Sequence, residues 1–165
     1  MQPRVFKQEH LPGVTRADLH EIMVAYGVLE FERRGAAPIM WILKSGPHVY
    51  WIETPWGDEI EKEASIRIIH NLVQKMGADC YSFMSEAWIS VYQGTLEDLE
   101  KATPPSEMPA SARDDVLMIG TLDKAGGSQT TQFLVTIRDN GRNYLGPRVD
   151  DDTKAASGRM WNLFA

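Results

Sequence analysis

Glu53, Glu86 and Asp115, with Asp114 beside the last, are the residues of this chain best suited by type and position to acid–base chemistry. All fall on or next to strand-like segments. Carboxylates from neighbouring strands can converge, and one surrounded by apolar groups has its charged form disfavoured, which keeps a general acid protonated near neutrality. Glu86 has such surroundings in Met84-Ser85-Glu86-Ala87-Trp88. A small hydrolase or other acid/base enzyme using Glu86 with Glu53 or Asp115 is therefore one expectation. A structural ion pair between Glu86 and Arg138 is the competing one. Ser85 offers Glu86 no direct help, because adjacent strand residues point to opposite faces.

Other reactive groups carry less. Cys80 is the only cysteine, opens a strand-like run and has no histidine near it in sequence, so it reads as a small buried hydrophobe. His10, His20, His48 and His70 form no HxH or HExxH pair, and Asp150–Asp152 lacks the alternating ligands and glycine of a calcium loop, so no metal is expected. His70 reads as a packed, hydrogen-bonded residue at the edge of an apolar helix stripe. Gly126-Gly127 lies between two strand-like runs with no phosphate-binding pattern around it, so no nucleotide cofactor is expected either.

Composition narrows the class further. The 165 residues are 43% hydrophobic, and 17 Lys and Arg against 23 Asp and Glu leave a net charge of −6. That is an ordinary globular balance, and it disfavours a nucleic-acid binder built on phosphate neutralisation. Ile39–Leu43, the longest candidate for a membrane segment, is far short of the roughly 20 residues a spanning helix needs. With one cysteine and no apolar run of signal-peptide length at the start, a cytoplasmic protein with no membrane or nucleic-acid partner is expected.

The elements that must position these residues follow from periodicity. Thr15 and Asp18 have capping-box spacing, and Leu19, Ile22, Met23, Tyr26 and Leu29 recur helically until Gly35 and Pro38. Residues 39–43 and 48–52 form a hairpin about Ser45-Gly46-Pro47. Asp58 caps a second helix in which Ile60, Ala64, Ile68, Leu72 and Met76 fall at i, i+4 steps, with Ile69 and Val73 beside them and Gly77 ending it. Residues 80–92, 116–122 and 130–138 alternate as strands. Asn140-Gly141 then turns the chain into a last strand, Asn143–Leu145, ended by Gly146-Pro147. The fold expected is α+β: residues 1–165 as one domain, with a single antiparallel sheet of about five or six strands and both helices on one face, in the order α-β-β-α-β-β-β-β. Residues 93–113 form a Pro/Ser-rich internal linker. Residues 150–165 form a polar tail with an apolar end.

With both helices on one face, Trp41, Met84, Trp88 and Tyr92 face away from them. Together with Trp161, Leu163 and Phe164 of the tail they make a candidate interface, since tryptophan and tyrosine dominate binding hot spots. A non-enzymatic homodimer acting through protein contacts is the leading expectation, by way of this aromatic face or an exchanged tail. The tail Met160-Trp161-Asn162-Leu163-Phe164 resembles the Gln-Leu-x-Leu-Phe peptides by which bacterial replication proteins dock on the sliding clamp, with Met160 where the glutamine belongs. That resemblance implies a protein partner reached through the tail. Docking on the chain's own core is the alternative. A small-ligand sensor with a pocket between the second helix and the 39–52 hairpin completes the expectations. The segments look like those of a compact bacterial or phage protein.

Overall fold

The structure, a computed structural model, describes residues 3–89, 107, 114–137, 140–151, 160 and 162–165, without the side chains of residues 88 and 89. The elements are β1 (Arg4–His10), α1 (Arg16–Arg34), β2 (Met40–Ser45), β3 (His48–Glu53), α2 (Glu59–Met76), β4 (Cys80–Ile89), β5 (Asp114–Asp123), β6 (Ser128–Ile137) and β7 (Asn143–Asp151). The α+β class holds. The sheet has seven strands, in the order β1-β3-β2-β4-β5-β6-β7, and every neighbouring pair is antiparallel. The 93–113 linker lies outside the described residues apart from Glu107.

Local chemistry sets the helix ends. The Thr15 hydroxyl accepts from the Asp18 N–H while the Asp18 carboxylate accepts from the Thr15 N–H, and Gly35 closes α1 at a φ of 71°. Asp58 caps α2, and Gly77 ends it at a φ of 62°. β1 is the additional strand. It pairs with β3 from Arg4↔Glu53 to His10↔His48, with an irregularity between Val5 and Lys7. β7 runs past Gly146-Pro147 to Asp151, because an outer strand can lack the hydrogen bond that proline removes.

The two helices lie on opposite faces of the sheet, which corrects the expectation that they share one. Along β2, Met40 and Ile42 join Leu19, Met23, Val24 and Phe31 of α1, whereas Trp41 and Leu43 join Ile66, Ile69 and Val73 of α2. Alternate residues of a strand face opposite ways, so the central strands are buried on both sides. This explains their continuous apolar runs, which alternation by itself does not require.

Both helices are also rotated from their expected orientation. In α1, Val24, Gly27 and Phe31 are buried while Leu29 is exposed; in α2, Ser65, Ile66, Ile69 and Val73 are buried while Ile60 and Ile68 are exposed. Gly27 has a packing reason, since a Cβ there would run into the sulfur of Met84 on β4. No helix among the described residues is long and apolar enough to cross a membrane.

Candidate functional site

A cleft of about 820 Å³ opens where the ends of β4, β5, β6 and β7 meet the first turn of α2. Its described lining wraps the end of the sheet, with Trp56, Asp58, Glu59, Lys62, Ser85, Met118 and Met160 on the α2 side and Glu86, Asp115 and Val135 on the α1 side. Lys62 bridges two of these groups, with its ammonium 5.8 Å from the Trp56 ring centre and 3.7 Å from a Glu59 oxygen.

The structure brings two of the three expected carboxylates together. Glu86 pairs with Leu117, two residues along β5 from Asp115, so both carboxylates lie on the α1 side of the sheet beyond the end of that helix. Partial desolvation pushes the Glu86 carboxyl above the ordinary range, and the Asp115 charge adds to this. A hydrogen bond from the Ala37 N–H opposes the shift, and Glu86 is an exposed residue whose charge solvent also screens. Glu53 is elsewhere. The sheet order places β2 between β3 and β4, and Glu53 instead pairs with Arg4 at 3.3 Å. Arg138 lies outside the described residues.

The expected interface residues divide differently. Trp41 and Met84 are fully buried and sit on opposite faces, so they form no common surface. The reason is the split placement of the helices, which covers both sides of β2 and β4. Tyr92, Trp161 and the Trp88 side chain lie outside the described residues. The tail docks on the chain's own α2 side. Leu163 is buried, and the Phe164 ring lies 5.1 Å from that of Tyr81. Tyr81 Oη donates to the Met160 carbonyl at 2.7 Å, and Gln74 Nε2 donates to the Leu163 carbonyl at 3.0 Å. His70 Nε2 meets the Ala165 carbonyl oxygen at 2.9 Å. Cys80 is buried, and its thiol is pushed up to about 12 by that burial, so it is chemically quiet.

The space expected to hold a sensor's ligand, between α2 and the β2–β3 hairpin, is filled by Trp41, Leu43, Ile52, Ile66 and Ile69. Among the described residues no group of three or more His, Cys, Asp or Glu side chains is placed to hold a metal ion.

A second polar constellation escaped sequence reasoning. His20, on the inner face of α1, is 1% exposed, with Nδ1 2.6 Å from Thr121 Oγ1 and Nε2 2.7 Å from Thr131 Oγ1. Thr121 Oγ1 also meets Ser82 Oγ at 2.9 Å, and Thr131 donates to Asp150, which holds Arg148. Arg148 in turn reaches Glu21 of α1. One chain of contacts thus joins α1 to four strands. Its signal in the sequence is slight: a histidine one position off the expected stripe, and hydroxyls at alternating strand positions.

The arrangement can do two kinds of thing. The cleft can accept or release a proton at Glu86 beside a second carboxylate, and it can bind an apolar group against its wall. The buried histidine network can fix how α1 sits on the sheet. No family model, no curated protein and no solved structure matches the chain, so geometry alone carries the functional reading.

Proposed function

We propose that this chain is a binding domain that works through protein contacts and associates with itself, with the outer row of α2 as its contact surface. The observation that carries the reading is Ile60, 82% exposed on a helix whose other side already packs on the sheet. Ala64 and Ile68 continue the exposed row at helical steps. A helix apolar on two sides gains little from folding for its outer row, and such rows mark protein contacts. The surface differs from the aromatic one expected from sequence, whose Trp41, Met84 and Leu163 are occupied within the chain. Native mass spectrometry and sedimentation equilibrium test it. A dimer that Ile60→Glu abolishes supports the reading, whereas a monomer at about 100 µM removes it, since a useful contact should be populated there.

A second reading, an acid/base enzyme, is favoured by Glu86 and Asp115 sharing one cleft with the Glu86 carboxyl raised. Turnover of chromogenic esters, phosphate esters and glycosides, lost in Glu86→Gln, would support it. No turnover, or turnover that survives the substitution, sets it aside.

A further inference from the structure

We propose that α2 packs antiparallel against α2 of a second copy of this chain, about a two-fold axis at Ala64; the inference rests on the contact-surface reading above. The outer row is symmetric about that residue. Ile60 and Ile68 each lie four positions away, about 6 Å along the helix axis. A two-fold there sets Ile60 against Ile68 of the partner subunit, with the small Ala64 side chains at the point of closest approach, where residue size sets how near two helices come.

Charge selects the same direction. The first half of α2 carries Glu59, Glu61 and Glu63 against the single Lys62, which pairs with Glu59, and the second half carries Arg67 and Lys75. Antiparallel pairing places each acidic half beside a basic one, Glu63 beside Arg67 of the partner subunit, and opposes the helix dipoles. Parallel pairing would place like beside like. The sheet edges offer a poorer contact. β1 carries Arg4, Lys7 and Glu9 with an irregular register, and β7 contains Pro147, both of which discourage strand addition.

Two helices in contact bury less than the roughly 1,200 Å² of standard complexes, so dissociation near ~10 µM is expected. Cysteine cross-linking under mild oxidation at about 100 µM then reads the geometry, with the native Cys80 silent because it is buried. Ala64→Cys should form a disulfide dimer. Ile60→Cys should not, because two such residues would lie about 12 Å apart along the axis. An equal mixture of Ile60→Cys and Ile68→Cys should cross-link. Arg67→Glu should weaken association about tenfold, and adding Glu63→Arg should restore it. Equal cross-linking of every single variant overturns the inference. So does a dimer that Ile60→Glu abolishes but Ala64→Cys cannot trap, and in that case the contact-surface reading survives. Absence of any dimer in the unmodified protein overturns that reading itself.

Discussion

The two faces of the sheet are covered by helices of similar length but held by different means. On the α1 face, an apolar cluster surrounds the His20–Thr121–Thr131 network, and α1 comes close enough at Gly27 that a Cβ there would have to displace the Met84 sulfur. On the α2 face, the fill is aromatic and aliphatic, with the Trp41 ring in contact with those of Tyr81 and Phe83 and Phe164 of the tail lying against Tyr81. Apolar contact is tolerant of sliding, whereas a buried imidazole bonded on both nitrogens admits one placement. The α1 face is thus specified by direction and the α2 face by volume. The hydrogen bonds that α2 makes lie toward its C-terminal end, from Ser45 to the Met76 carbonyl and from Gln74 and His70 to the tail, and its first half keeps an apolar row on its outer side.

The largest expected effect breaks the volume-held face. Trp41→Ala should cost about 3–5 kcal/mol in urea unfolding, because it removes a fully buried indole together with its 2.8 Å bond to Thr54. A loss below about 1 kcal/mol would mean that α2 and the tail collapse into the space, contrary to a close-packed core. The direction-held face should respond differently. His20→Leu should cost about 1–3 kcal/mol, because Thr121 and Thr131 each lose one buried hydrogen bond while keeping those to Ser82 and Asp150. A loss below about 0.5 kcal/mol would show that the imidazole contributes by shape rather than by hydrogen bonding.

The smallest effect is on pH dependence, and it sharpens the contrast between the α1 face and the cleft. The bond from Arg148 holds the Glu21 carboxyl below its ordinary range, and the Thr131 hydroxyl does the same for Asp150. Their stabilisation is full above the unfolded carboxylate range, about pH 4, and is lost as pH falls through the lowered folded values. Glu86 has the opposite sign. Its raised folded value makes the ionised carboxylate a cost at neutral pH, and that cost disappears on acidification. Arg148→Met should therefore flatten the acid limb of the stability curve. Glu86→Gln should raise stability slightly at pH 7 and steepen that limb. Unfolding midpoints compared at pH 7, about pH 4 and about pH 2.5 measure both, the first interval reporting Glu86 and the second Glu21 and Asp150.

Legibility in the sequence varied with how local the controlling interactions are. The α1 capping box, the Gly77 cap and the hairpin about Gly46 rest on contacts within a few residues, and they were readable. β1 was not, because Arg-Val-Phe-Lys-Gln-Glu-His at an outer edge shows no buried alternation. The continuous apolar run of β2 fits a strand covered on either one side or both, so the position of α2 could not be read from it. Glu86 and Asp115 were legible as candidates from residue type alone. Their meeting, and the separation of Glu53, depend on which strand lies between.

The class, the two helices, their ends and six of the seven strands among the described residues follow from local signals, since caps, turns and two-fold alternation act over short spans of chain. Which side each helix covers, the return of the tail to Tyr81, and the meeting of a histidine on α1 with threonines about a hundred residues away emerge only on folding. Those outcomes depend on long-range pairing, where many contacts compete and a rotation of one helix by a single position, about 100°, turns a different row of side chains toward the sheet.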